Sequence, residues 1–365
     1  MTKFTNAEMC LLWLDSFESL EYKHKKEIFN LIDGKENIKS AIASNKENLI
    51  PFLGEERFNI LSLAANNDYF SSVLNEIDRH GITPITLFSK NYPERLKDTP
   101  IPPLVLYAKG DIGLLNEKCF AIVGSRKSSA LAIKTAEKFS SALTDAGFTL
   151  VSGIAEGVDK TVLESALNGS GKVVSVVAGG FGNIYPKSHV NLFDSIAERG
   201  LVLSEHPYSV VPKPYMFPVR NRIIAGLSVG ALIVSAGIKS GALYTAEYAE
   251  EYSRQVFAVP YSVGVVCGEG SNELIKRGAM LCDSVSDILS FYGIEEKKKE
   301  ISLSKPEEEI IKILKDGDKH IEKICSALNK KIYEITPLIS SLEIKGYITQ
   351  SGINVYTLCQ IISEE

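Results

Sequence analysis

Paired cysteines, long apolar runs, a net positive charge and a catalytic signature are all missing from this 365-residue chain. Its six cysteines (Cys10, Cys119, Cys267, Cys282, Cys325 and Cys359) form no C-x-x-C and no Cys/His cluster with zinc spacing. Neither a metal site nor a disulfide framework is therefore expected. Cys119 and Cys359 lie in apolar runs and read as core or strand residues, as befits reduced thiols in a cytoplasmic protein. No stretch approaches the roughly 20 apolar residues of a membrane span. The run 9–14 is short and stops at Asp15, so no secretory leader and no membrane partner are expected. The formal charge of −5 argues only mildly against a nucleic-acid binder, because phosphate needs local rather than net positive charge.

The chemistry of catalysis is equally sparse. None of the five histidines (His24, His80, His189, His206 and His320) belongs to a serine or cysteine nucleophile pattern, and G-x-S-x-G is absent. No catalytic residue is expected, and the chain does not read as an enzyme. A nicotinamide dinucleotide is disfavoured, because no G-x-G-x-x-G follows the first core strand and the next strand ends in Ser152-Gly153 rather than an acid. Gly169-Ser170-Gly171-Lys172-Val173 does not complete a P-loop. No cofactor is expected.

What is present divides into segments. Residues 1–100 read as a helical domain, with Leu11, Leu12, Leu20, Ile28, Leu31 and Ile32 at mostly helical intervals, a turn signal at Asp33-Gly34, and Trp13 as core. Pro93, Pro100, Pro102 and Pro103 then force extended chain. Residues 101–293 alternate helical stretches with apolar runs at 104–107, 120–123, 149–151, 173–177, 201–203, 231–234 and 256–259. Valine-rich runs without polar alternation predict strands buried on both faces, hence a parallel sheet in a doubly wound α/β domain. Ala132, Ala136, Phe139 and Leu143 share one helix face that Gly147 ends. Residues 294–304 contain a charged run and read as a linker. Residues 305–365 carry three helical patterns (307–314, 321–328, 332–344) and a β-like pair around Ser351-Gly352, which suggests a winged helix.

The candidate site lies in glycine turns at the strand ends: Gly124-Ser125-Arg126, Ser152-Gly153-Ile154-Ala155-Glu156-Gly157-Val158-Asp159, Ala178-Gly179-Gly180-Phe181-Gly182 and Ser235-Ala236-Gly237-Ile238-Lys239-Ser240-Gly241. Glycine lets backbone amides approach an anion, and a helix N-terminus favours negative charge. Four such turns on one sheet edge point to a ligand with several phosphates. Arg126, Lys187, Lys213, Arg220, Arg222 and Lys239 would track the phosphates, and Tyr185, Tyr215 and Phe217 would offer faces to bases. Internal ion pairs are the alternative for Arg220 and Arg222. Asp159 reads as a helix cap and His189 as a surface residue.

The central segment resembles the DprA/Smf family of DNA-processing proteins. The resemblance rests on Asn91-Tyr92-Pro93-Glu94-Arg95-Leu96, the first two glycine turns, Tyr185-Pro186-Lys187, Phe217-Pro218-Val219-Arg220-Asn221-Arg222-Ile223-Ile224-Ala225-Gly226-Leu227-Ser228, Ser240-Gly241-Ala242-Leu243-Tyr244-Thr245-Ala246 and Asn272-Glu273-Leu274-Ile275-Lys276-Arg277-Gly278-Ala279. It implies an extended Rossmann-like domain, single-stranded DNA bound through its phosphates, a homodimer, and a RecA recombinase partner loaded onto DNA during natural transformation. By motif, Arg126 and Lys187 would contact DNA, a loop carrying Phe217, Arg220, Asn221 and Arg222 would line the same groove, and Gly124, Ser125, Ser152 and Gly153 would lie close to phosphate. The third glycine turn and Tyr261, where the family commonly has glycine, depart from the pattern. Two other readings stay open: a Rossmann-like nucleotide-binding or nucleotide-hydrolysing enzyme, echoed by Thr245 and Glu247, and a winged-helix regulator that senses a nucleotide.

Overall fold

In the computed structural model, which describes residues 4–32, 38–66, 68–295 and 303–359, the apolar runs become the middle of one nine-stranded sheet. Its strands are β1 (Thr83–Thr86), β2 (Val105–Gly110), β3 (Cys119–Val123), β4 (Thr149–Ser152), β5 (Val173–Val176), β6 (Leu201–Ser204), β7 (Gly230–Ile233), β8 (Gln255–Ala258) and β9 (Met280–Leu281). They lie in the order β1-β2-β6-β5-β4-β3-β7-β8-β9. From β6 to β9 every pairing is parallel.

The expected parallel direction fails at one side of the sheet. β2 runs antiparallel to β6, and β1 antiparallel to β2. The run at 104–107 is nevertheless buried, because an apolar run reports covered faces and not strand direction.

Side chains alternate across the sheet. Phe120, Ile122 and Leu150 face a layer with the helices Ala130–Asp145, Val158–Asn168 and Val190–Arg199, where Ala132, Ala136, Phe139 and Leu143 are buried as one stripe. Cys119, Ala121 and Val123 face the helices Met216–Leu227 and Ala242–Glu251. The thiols of Cys119 and Cys282 are pushed up to about 12 by burial, so both behave as apolar filling.

The chain divides into two compact units, 1–296 and 297–365. In the first, among the described residues, six helices precede the sheet, from Asn6–Asp15 to Tyr69–Arg79, and pack Trp13, Leu14, Phe17, Ile28 and Leu49 into a core of their own. They are also tied to the sheet. Leu11 and Leu12 join its core, and the Tyr107 hydroxyl donates to the buried Asp15 carboxylate at 3.1 Å. The second unit has helices Lys305–Leu314, Ile321–Leu328 and Ile332–Ile344, with β10 (Lys319–His320), β11 (Ile348–Gly352) and β12 (Val355–Leu358) in the order β10-β12-β11. Ile310, Ile324, Ile335, Ile339 and Leu342 form its core. The turn signal at 33–34 and most of the charged run at 294–304 lie outside the described residues. Among the described residues, no helix is long and apolar enough to cross a membrane.

Candidate functional site

The chain lays down β3, β4, β5 and β6 in one direction, then returns to place β7 on the other side of β3. Where strand order reverses, the flanking loops diverge, and open α/β sheets bind ligands in the crevice this leaves beyond the carboxyl ends. A cleft of about 960 Å³ opens there. Its walls come from the turn after β3 (Gly124 to Lys127), from Ala155 and Asp159 after β4, from the start of helix Met216–Leu227, and from Gly237 to Ala242 after β7.

The first turn is held by its neighbours. The Ser125 amide donates to the Ser235 carbonyl at 2.8 Å, and the Gly124 amide reaches Asp159 Oδ1 at 3.4 Å. Gly157 has φ +80, and a Cβ there would meet the Ser125 carbonyl oxygen at 2.4 Å. Only glycine therefore lets the second turn pass under the first.

Beneath the cleft two opposite charges, Arg220 and Asp159, are buried near each other. Arg220 Nη1 donates to the carbonyls of Gly153, at 2.6 Å, and Val176. Burial pushes the Arg220 guanidinium down to about 10, with Asp159 opposing and Arg126 adding repulsion. Burial likewise raises the Asp159 carboxyl, against the pull of Arg220 and of the amides of Gly124, Ala155 and Gly153. Asn221 Nδ2 donates to the Gly241 carbonyl at 3.0 Å and so ties this helix to the turn after β7.

Above the pair the surface is basic and aromatic. The Arg126 guanidinium lies 5.2 Å from the centroid of the Phe217 ring. Phe217 in turn meets Tyr185 edge-on at 5.5 Å. Arg126, Lys127, Lys187 and Lys239 are exposed. Backbone amides, cations and ring faces together can hold phosphates and stack bases. Glu269 is an opposing carboxylate on the cleft wall.

Of the residues expected at the site, Gly124, Ser125, Arg126, Phe217, Arg220, Asn221 and Lys239 line this one cleft. Ser152 is buried below it, its hydroxyl donating to the Ile122 carbonyl at 2.7 Å. Gly153 makes room for the charge pair, since a Cβ would sit 2.5 Å from Arg220 Nη2 and 2.6 Å from Asp159 Oδ2. Lys187 follows the loop whose Tyr185 touches Phe217. Lys213 and Arg222 are elsewhere. Both line a separate cavity of about 530 Å³ that also includes Tyr22, Glu205 and Tyr252. There Arg222 pairs with Glu205, the internal ion pair that was the alternative for it. The expected loop at 217–222 is helical, with Pro218 in the first turn, where proline is tolerated.

Two side chains differ from their sequence reading. Asp159 is not the cap, a place taken by Gly157; its carboxylate instead accepts from the Gly124 amide and lies near the Arg220 guanidinium. His189 is buried, 2% exposed, because its Nδ1 meets the Ile154 carbonyl at 2.8 Å and its Nε2 lies 3.0 Å from Glu156. Thr245, Cys267 and Glu269 also line the cleft. Of these, only Thr245 carried any signal in the sequence, through the Thr245-Ala246-Glu247 stretch.

Known proteins share this architecture. The family model for DNA recombination-mediator protein A matches residues 83–293. DNA processing protein DprA of Bacillus subtilis is 40% identical over 217 residues, which are 59% of this chain and 73% of that protein. The crystal structure of DprA from Streptococcus pneumoniae superposes with a TM-score of 0.68 at 30% identity, covering 80% of this chain and 99% of that one. DprA from Helicobacter pylori, whose structure addresses its single-stranded DNA binding mode, gives a TM-score of 0.53 at 27% identity over 59% of this chain and 97% of that one.

Proposed function

This chain belongs to the DprA/Smf family of DNA recombination-mediator proteins, and from that membership we propose that it binds single-stranded DNA in the cleft between the β3 and β7 turns. The observation that carries the reading is the cleft itself. At the switch point of the sheet, exposed Arg126, Lys127 and Lys239 surround the cleft, and Phe217 offers a ring face beside Arg126. Such a surface grips phosphates and stacks any base, so binding is strong in salt dependence and weak in sequence preference. Gly124, Ser125, Arg126, Phe217, Asn221 and Lys239 touch the strand, and Lys187 extends the track. Ser152, Gly153 and Arg220 support it from below, while Lys213 and Arg222 act outside it.

In this reading the protein is a cytoplasmic homodimer that needs no cofactor and performs no covalent chemistry. It delivers the bound strand to a RecA recombinase during natural transformation or recombination. The domains are a helical segment (1–100), the extended Rossmann-like domain (101–293), a linker (294–304) and a winged helix (305–365). The tail's order of three helices and a small antiparallel sheet supports the last assignment.

The test is binding of a fluorescent oligonucleotide, single- and double-stranded, across a salt series, with wild type and with Arg126→Ala combined with Lys187→Ala. The expected result is a single-strand preference, with a log–log salt slope about 1.4 smaller in the double variant, from about 0.7 per phosphate contact. Equal or absent binding of both forms by wild type would reject the reading and point to a smaller phosphate ligand.

A further inference from the structure

Thr245 lines the cleft and is 0% exposed, and its Oγ1 has no hydrogen-bond partner. A buried hydroxyl without a partner costs about 1–3 kcal/mol unless something completes it. A helical threonine usually back-bonds to the carbonyl four residues earlier. Here that carbonyl belongs to Gly241, and it accepts from Asn221 Nδ2. Thr245 is on the first turn of the ten-residue helix Ala242–Glu251, whose Ala242 and Leu243 amides donate to Ser240 Oγ at 3.4 Å and to the Ser240 carbonyl at 3.1 Å, and which has no acidic residue in that turn. The positive end of the helix therefore faces the cleft without an internal anion. Lys239 stands just ahead of it.

We propose that Thr245 Oγ1, at the positive end of helix Ala242–Glu251, forms a second phosphate subsite in the cleft, separate from the Arg126 turn. The inference rests on the binding function proposed above and adds where a particular phosphate goes. β3 and β7 are hydrogen-bonded neighbours, and adjacent strands lie about 4.8 Å apart. The turns leaving them are thus close enough to take nearby phosphates of one strand. The Arg126 turn supplies a mobile cation, whereas the Thr245 subsite supplies a hydroxyl and backbone dipoles.

The test uses the full-length protein with Thr245→Val, which keeps the shape and removes the hydroxyl, and with Thr245→Ser, which restores it. Oligonucleotides carrying one neutral methylphosphonate, moved position by position, are the probe. Thr245→Val should weaken binding of the unmodified strand about tenfold or more, as for a hydrogen bond to a charged group, at unchanged salt slope, because no cation is removed. The penalty of a methylphosphonate should shrink in Thr245→Val at one position only, and Thr245→Ser should bring it back. Wild-type affinity in Thr245→Val, or a uniform loss at every position, would overturn the subsite while leaving the binding function intact. If wild type binds no oligonucleotide, the binding function itself fails. A thermal unfolding midpoint of Thr245→Val no lower than wild type excludes a folding defect as the cause of any loss.

Discussion

Truncating Asp159 to alanine should be among the most damaging single changes in the sheet-containing unit. Its carboxylate is buried, receives the Gly124 amide at 3.4 Å, and is the opposite charge felt by Arg220. Arg220 is buried as well and spends Nη1 on the carbonyls of Gly153 and Val176. Without Asp159, a guanidinium stays in a low-dielectric site with no countercharge. Breaking one side of a buried pair costs about 3–5 kcal/mol, a large share of the roughly 5–15 kcal/mol that holds a domain folded. Removing both charges, with Asp159→Ala and Arg220→Met together, removes that uncompensated charge. The double variant should be less destabilised than the sum of the single changes by about 1–3 kcal/mol, as for groups in direct coupling.

Urea unfolding of all four proteins, followed by circular dichroism, closes this cycle. If Asp159→Ala falls within about 0.5 kcal/mol of wild type, as an ordinary surface change would, the carboxylate is not the counterion. If the two effects simply add, the groups do not act as a pair. Either result would remove the physical account of how the floor of the cleft is held.

The same floor makes Gly153→Ala informative. Its Cβ would enter at 2.5 Å from Arg220 Nη2 and 2.6 Å from Asp159 Oδ2, so a lower urea midpoint is expected, by the 1–3 kcal/mol typical of overpacking (roughly). A wild-type midpoint would mean that the pair moves aside without cost. In the second unit, Lys345 and the Ser304 and Ser341 groups hold the Glu307 carboxyl down at about 2. A depressed carboxyl contributes stability above its unfolded pKa near 4.5 and loses it as pH falls toward 2. Hydrogen-exchange protection at residues 305–358 of the full chain, measured relative to the intrinsic rate at each pH, should therefore fall between pH 4.5 and 2, and Glu307→Gln should show low protection already at pH 5 with no step in that window.

How far the sequence could be read depended on whether a feature was local. The seven apolar runs announced seven strands because apolar, often β-branched residues in runs of three to five leave little else to build. β1 escaped notice because Thr83-Pro84-Ile85-Thr86 carries a proline, tolerable only at an edge. β9 escaped because two residues, Met280 and Leu281, make no pattern. The direction of β2 was hidden for a different reason: burial on both faces says nothing about which neighbour supplies the hydrogen bonds.

The site divides along the same line. Glycine turns after strand runs put the ligand at the carboxyl edge, but strand order, a long-range property, decides which turns share a cleft. The turns after β3 and β7 do, because those strands are neighbours. Arg220 and Arg222 show what the local pattern could have yielded. Two residues apart, they would line one groove on an extended loop. On a helix, 100° per residue turns them about 200° from each other. Once the first turn accommodates Pro218, residues 216–227 are helical, and the two arginines have to serve different cavities. Arg220 goes to Asp159 below the cleft and Arg222 to Glu205 beside Tyr22 and Tyr252. The motif placed both in one functional stretch; the helix divides that stretch into a face that supports the cleft and a face that lines the cavity beside Tyr22 and Tyr252.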